Sequence, residues 1–185
     1  MPGASARSSV DGACDPQAMR GTGCQTAGMT WRVIAVVVVI LIVAAYVVGS
    51  GTQVATGGGW YASLTKPWWQ PPPWFVGLIW PYNFVVIGLI GSLIAWNAAP
   101  VRVIAVIILL AVTVALAIAW AYLFFGPHDL SAAAIALTSA AVLTLPITVI
   151  VFAERWWMGA LFVVYQAWLA VAASLSWGYV AEGGT

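Results

Sequence analysis

The chain has 185 residues, of which 63% are hydrophobic and 6% are charged, and its formal net charge at pH 7 is +1. A soluble domain carries about 25% charged residues, so this chain has too few of them to cover a surface that faces water. The low net charge also argues against nucleic acid as a partner, because phosphate binding requires a basic patch. The composition therefore predicts an integral membrane protein, with the lipid bilayer as its surroundings.

The first 29 residues differ in composition from the rest of the chain. They are rich in Gly, Ser, Ala and Thr and show no apolar periodicity, which predicts a disordered tail over 1–29. The apolar run after Arg32 is too long for the hydrophobic region of a signal peptide. Cys14 and Cys24 lack the paired spacing of a zinc site, and two incidental thiols are favoured over a disulfide.

Five apolar segments follow the tail, and each is long enough to cross a bilayer. In lipid every backbone polar group must bond within its own segment, so even a segment rich in Val and Ile is predicted to be helical. Short links between most segments make consecutive helices antiparallel neighbours. The sequence predicts an all-α bundle of five transmembrane helices over residues 30–181, with spans at 31–50, 73–97, 101–125, 130–152 and 156–180.

The connection between the first two segments, Gly51–Pro72, is the exception to the short links. It contains the run GGGWYASLTKPWWQPPP, whose prolines restrict the backbone. Long loops with their own aromatic content are more often functional than idle. The sequence therefore predicts a long lid loop between helices 1 and 2.

Positive charge predicts the orientation in the membrane. In a five-span arrangement one side carries every arginine and the other side carries only Lys66. Lysine and arginine accumulate in cytoplasmic loops, so we expect a cytoplasmic N-terminus. The composition is typical of a bacterial protein, which places the chain in the bacterial cell membrane. The arginines are Arg7, Arg20, Arg32, Arg102 and Arg155.

Small residues on the second segment predict close helix contacts. Gly88 and Ser92, like Gly91 and Ala95, are four residues apart and let another helix approach closely. Packing within the chain is one interpretation of this face, and a homodimer is the other.

The ionisable side chains offer little chemistry. No Asp, Glu, Lys or Arg lies deep within a predicted span, which argues against a proton-coupled exporter. There is a single histidine, His128, and no phosphate-binding glycine loop. Asp129 is predicted to cap the fourth helix. We therefore predict no catalytic residue, no metal site and no cofactor, and an enzymatic activity stays an open alternative.

Aromatic and polar side chains within the spans point to a binding cavity instead. Indole rings with a few polar groups make a wall that suits a flat, largely apolar ligand. Hydrogen bonds between helices are the alternative role for the polar residues. The residues concerned are Asn83, Gln166, Tyr82, Tyr122, Tyr165, Ser176, Trp80, Trp96, Trp120, Trp168 and Trp177.

Three stretches resemble the TspO/MBR family of tryptophan-rich sensory and translocator proteins. WYASLTKPWWQPPPW at 60–74, with a further Trp80, is similar to the family pattern W-Y-x-x-L-x-K-P-x-W-x-P-P-x-W. WAYLFFG at 120–126 and YQAWLAVAASL at 165–175 resemble the segments that the family carries on helices 3 and 5. The resemblance covers about residues 31–180.

The resemblance implies five helices, a frequent dimer, and a pocket beneath the first loop that binds tetrapyrroles such as protoporphyrin IX. We expect sensing or transport of such a molecule, with light-dependent porphyrin degradation or a regulatory role in the membrane as alternatives. The ligand-binding residues implied by position are Trp60, Tyr61, Lys66, Pro67, Trp80, Phe84, Trp120 and Trp168.

The chain departs from the family at four positions where polar residues are common. Ala117, Ala136, Ser176 and Phe84 stand where other members often carry Asn, Asp, Asn and Tyr. The resemblance therefore predicts a pocket that is less polar than is usual in the family.

Overall fold

The computed structural model describes residues 16–183, with side chains for 28–55 and 57–183. Five long helices make up this part of the chain, and each contains a segment apolar and long enough to cross a membrane, which confirms the predicted five-helix membrane bundle. Prolines begin α2 and α3, where the missing N–H costs nothing. The helices are α1 Pro16–Ser63, α2 Pro73–Asn97, α3 Pro100–Phe125, α4 Leu130–Glu154 and α5 Trp156–Ala181.

The first helix is much longer than the predicted span of 31–50. Residues 16–29 of the predicted disordered tail are helical, and residues 1–15 lie outside the described part of the chain. Extending a helix from an already formed span requires no new nucleus. At its other end α1 continues to Ser63, so the predicted lid loop over Gly51–Pro72 is wrong for its first part.

Tertiary packing explains why this glycine-rich end of α1 stays helical. A Cβ atom on Gly57 would stand only 2.5 Å from Cδ1 of Phe125, so the absence of a side chain lets α1 lie directly on α3. Leu64, immediately after the helix, is buried with Phe124 and Tyr179. Only residues 64–72, here called the mouth loop, connect α1 to α2 without helix.

The helices form a closed ring in the order α1, α2, α5, α4, α3. The α4–α5 and α3–α4 contacts are the most extensive, as expected for helices joined by short links. The prediction is wrong for α2 and α3, which a short link also joins but which are not neighbours in the ring. A Cβ on Gly91 would stand 2.7 Å from Cγ1 of Val39, so this glycine serves the contact between α1 and α2. The small residues of α2 therefore support packing within the chain, and the homodimer stays a prediction.

Several polar groups near the middle of the bundle are buried without a hydrogen-bond partner in the described part of the chain. Asn83 of α2 is completely buried, and neither its Nδ2 nor its Oδ1 is bonded. The hydroxyl of Thr113 and the Nε1 of Trp168 are also buried without a partner. An unsatisfied buried polar group costs about 1–3 kcal/mol, so this layer lowers the stability of the bundle.

Replacing Asn83 with leucine is expected to raise the free energy of unfolding by about 1–3 kcal/mol, because the leucine removes two unsatisfied groups without leaving a cavity. Thermal unfolding of the purified protein in detergent measures the change. Gln166→Leu is the matched control, since this glutamine donates to the carbonyl of Ala141 and accepts from Thr148. Gln166→Leu should lower the free energy of unfolding. If both variants raise it alike, the missing hydrogen bonds of Asn83 are not the cause of the gain.

The link between α3 and α4 positions the N-terminus of α4. Oδ1 of Asp129 accepts a hydrogen bond of 2.9 Å from the backbone N–H of Ala132, which confirms the predicted cap. His128 has φ of 61°, a left-handed conformation that is uncommon for a residue with a side chain. Its ring stacks on the indole of Trp60 with centroids 3.8 Å apart.

Asp129→Ala is expected to lower the free energy of unfolding by about 1 kcal/mol, because the first turn of α4 loses its acceptor. Asp129→Ser should retain most of the stability, since serine also accepts from the backbone at this position. Thermal unfolding of the two variants checks this. Equal losses for Ala and Ser would show that the cap does not stabilise α4.

Candidate functional site

A cavity of about 180 Å³ lies at the end of the bundle where the mouth loop connects α1 and α2. Residues of α1, α2, α3 and α5 form its walls, and most of them are aromatic or aliphatic. We call it the aromatic pocket. Its lining residues are Val54, Gly58, Tyr61, Gln70, Val76, Trp80, Trp120, Phe124, Phe125, Trp168, Ala172, Leu175, Ser176 and Tyr179.

Three indole rings shape the pocket. Trp80 of α2 and Trp120 of α3 lie nearly parallel, with centroids 6.3 Å apart and an angle of 20°. Trp168 of α5 meets Trp80 almost at a right angle, at 6.4 Å. Flat surfaces in two orientations give a slot that favours a planar ligand over a globular one.

Hydrogen bonding holds two of the pocket's polar side chains. Nε1 of Trp120 donates to the Ser176 hydroxyl over 3.0 Å, which joins α3 to α5. Trp168 differs, because its Nε1 is buried and has no partner among the described residues. One indole of the pocket wall therefore has an unsatisfied donor.

The mouth of the pocket is closed by a small polar network. Nε2 of Gln70 donates to the Tyr61 hydroxyl over 3.0 Å, and the Tyr179 hydroxyl donates to Oε1 of Gln70. The two tyrosine hydroxyls are 3.2 Å apart. Because Gln70 belongs to the mouth loop, these bonds connect the loop to α1 and α5.

Close packing also fastens the mouth loop to α5. A Cβ atom on Gly178 would stand 2.7 Å from Cγ of Pro67 and 2.8 Å from Cζ2 of Trp69. Only glycine permits this approach of loop and helix. The position of the loop over the pocket therefore depends on Gly178.

Half of the predicted binding residues line the pocket, namely Tyr61, Trp80, Trp120 and Trp168. Pro67 is buried outside the pocket against Gly178. The others contact neighbouring groups: Trp60 stacks on His128, Phe84 packs on Tyr46 with centroids 5.2 Å apart, and the exposed Lys66 holds its Nζ 5.6 Å from the centroid of Tyr61.

The sequence reasoning missed Gln70 and Tyr179, which close the mouth. Helical spacing could have indicated Tyr179, since Trp168, Ala172, Ser176 and Tyr179 recur at intervals of three or four along one face of α5. No comparable signal marks Gln70, because its place depends on the course of a nonhelical segment.

The sequence model of the TspO/MBR family matches residues 34–181, which covers α1 from the beginning of its apolar part through all of α5. The chain belongs to the TspO/MBR family. The match includes every residue that lines the aromatic pocket.

Similar proteins occur in bacteria and animals. Protein CrtK of Rhodobacter capsulatus is 30% identical over 121 residues, which is 64% of this chain and 75% of that protein. The tryptophan-rich sensory protein of Cereibacter sphaeroides is 30% identical over 63% of this chain and 72% of its own length. The human translocator protein is 32% identical, over 64% of this chain and 71% of its own length.

The four departures from the TspO/MBR pattern do not all affect the pocket. Ser176 lines it, whereas Ala117 and Ala136 are buried elsewhere and Phe84 packs on Tyr46. Among the described lining residues, Ser176 is the one of these four positions at which the change can affect the polarity of the pocket.

Proposed function

We propose that this TspO/MBR protein binds a planar, largely apolar molecule in the aromatic pocket, with tetrapyrroles of the protoporphyrin IX type as the leading class. The observation that carries the proposal is the slot formed by Trp80, Trp120 and Trp168. Indole rings offer a large apolar contact area and stack on extended π systems. Sensing and transport both require this binding step.

The size of the pocket implies that it widens on binding. Ligand pockets for drug-sized molecules measure about 300–1,000 Å³, and this one encloses about 180 Å³. The end of α1 is the wall that can move at least cost, because Gly57–Gly59 lie within the helix and each glycine there lowers helix stability by about 1 kcal/mol. In this proposal the end of α1 and the mouth loop shift together as the ligand enters.

Charge gives the ligand an orientation. No charged side chain is among the lining residues, while Lys66 stands beside Tyr61 at the mouth. A carboxylate deep in the pocket would lose its hydration without a counter-charge. A porphyrin would therefore place its propionates at the mouth near Lys66 and its apolar edge, which carries methyl and vinyl groups, between the indoles.

Titration of the detergent-purified protein with protoporphyrin IX in the dark tests the proposal. Because three tryptophans line the pocket, binding should quench the intrinsic fluorescence in a saturable way. Titration of the same detergent with free tryptophan corrects for absorption by the porphyrin itself. Quenching that rises linearly without saturation would contradict a binding site.

A second candidate is the light-dependent breakdown of a bound porphyrin. The near-perpendicular pair Trp80 and Trp168, with centroids 6.4 Å apart, places two oxidisable rings beside the proposed ligand. Illumination of the complex in the presence of oxygen should then change its visible spectrum, and Trp168→Phe should slow the change. A spectrum that bleaches equally with and without the protein would exclude this activity.

The cytoplasmic N-terminus, the homodimer and a regulatory partner in the membrane remain proposals that rest on the sequence. Placement of every arginine on one side favours the orientation. The orientation is tested with a cysteine introduced at position 66. A membrane-impermeant reagent should label this cysteine in intact cells, because a cytoplasmic N-terminus places Lys66 on the outer side of the membrane.

A further inference from the structure

The end of the bundle opposite the aromatic pocket carries three arginines whose side chains are described, and two of them have partners within the protein. Nη1 of Arg32 donates to the carbonyl of Trp96 at the end of α2. Nη1 of Arg102 stands 2.6 Å from Oε1 of Glu154 in an ion pair that joins the start of α3 to the end of α4. These two arginines stabilise contacts between neighbouring helices.

Arg155 has no such partner among the described residues. It lies between α4 and α5, is exposed, and borders a groove of about 430 Å³ that also contains Asn97, Glu154 and Trp157. Because Glu154 is paired with Arg102, its charge does not compensate that of Arg155. The groove therefore holds an uncompensated guanidinium.

The distribution of charge makes the two ends of the bundle different. At the groove end, three arginines against one glutamate leave a charge of +2 among the described side chains. At the pocket end, Lys66 against Asp129 and Glu182 leaves −1. The long-range field of the bundle therefore attracts anions more strongly to the groove end than to the pocket end.

The depth of the groove corresponds to the boundary between lipid and water. Trp96, Trp156 and Trp157 are all exposed at this end, and exposed tryptophans collect at the level of the lipid headgroups. A groove at this depth meets phospholipid at far higher concentration than any free anion.

We propose that the groove binds the phosphate of an anionic phospholipid, with Arg155 as the residue that pairs with it. The planar guanidinium offers a fork of donors that matches phosphate oxygens, and basic pockets between transmembrane helices are suited to anionic headgroups. Asn97 donates its amide to the carbonyl of Leu93, so its Oδ1 is free to accept from a headgroup hydroxyl. This favours phosphatidylglycerol among anionic lipids.

Thermal unfolding of the full chain in detergent, with added short-chain phosphatidylglycerol, tests the proposal. The lipid should stabilise the wild type in a saturable way, and phosphatidylcholine should have no comparable effect. Arg155→Gln should raise the lipid concentration that gives half of the stabilisation about fivefold. This is the loss of affinity expected when one arginine near the membrane surface is removed. Arg155→Lys keeps the charge and should recover part of the response.

Lys66→Gln is the matched control, because it removes the same charge at the opposite end. It should respond to phosphatidylglycerol as the wild type does. An unchanged response in Arg155→Gln would overturn the proposal, and so would equal losses in the two glutamine variants, which would indicate an effect of net charge. Equal stabilisation by inorganic phosphate at the same concentration would assign the groove to a free anion and would also overturn it.

Discussion

Replacing Gly178 with valine is expected to lower the affinity for protoporphyrin IX about tenfold or more, which corresponds to at least about 1.4 kcal/mol. A Cβ at this position overlaps Pro67 and Trp69, so the mouth loop must move away from α5. Overpacking of this kind costs about 1–3 kcal/mol. As the loop moves, Gln70 is drawn away from Tyr61 and Tyr179, and the pocket loses its closure.

The fluorescence titration measures this change, and thermal unfolding shows whether the bundle remains folded. Gly77→Val is the matched control, since nothing lies within 4 Å of a Cβ at Gly77. It should bind the porphyrin as the wild type does. If Gly178→Val is folded and binds with unchanged affinity, the mouth loop does not contribute to the site.

Trp80→Ala is expected to weaken protoporphyrin IX binding roughly 30-fold, or about 2 kcal/mol, the loss that is usual for a central aromatic contact. The Trp80 ring contacts both of the other indoles, Trp120 in a nearly parallel arrangement and Trp168 almost at a right angle. Its removal therefore disrupts both ring pairs that form the slot. It also packs on Tyr46 and Phe84. Trp80→Phe preserves part of that packing and should lose less affinity.

Trp156→Ala serves as the control for this series, because Trp156 is 75% exposed and lies at the other end of the bundle. Isothermal titration calorimetry measures the affinity. It is preferred here because the variants remove tryptophans and so change the fluorescence signal. Equal affinities of Trp80→Ala and Trp156→Ala would place the ligand outside the aromatic pocket.

Much of the fold could be predicted from the sequence because the bilayer permits few alternatives. Apolar segments of sufficient length must be helices, and the short links at 126–129 and at Arg155 make α4 a neighbour of both α3 and α5. The starts of α2 at Pro73 and α4 after Asp129 followed from proline and capping rules.

The end of α1 could not be predicted in the same way. Its glycines indicate a loop by propensity, and only the contact of Gly57 with Phe125, far apart in the chain, shows why the helix continues. The buried Asn83 is a similar case, since the sequence alone does not reveal that its amide has no partner.

The candidate site was predictable to the extent that it consists of aromatic residues in recognisable motifs. Trp80, Trp120 and Trp168 belong to such motifs and line one cavity. Trp60 belongs to the same motifs, and Phe84 stands at a position implied by the resemblance, yet their rings pack on His128 and Tyr46. A motif places a residue on its helix, but the direction of its side chain depends on how that helix is rotated in the bundle.

The most direct test of the central claim is an experimental structure of the protein in complex with protoporphyrin IX, determined in lipid and in the dark. We expect the ring in the slot formed by Trp80, Trp120 and Trp168, the propionates at the mouth near Lys66, and a wider pocket with the end of α1 displaced. A porphyrin bound on the lipid-facing surface of the bundle, with the aromatic pocket still closed at its present volume, would contradict it.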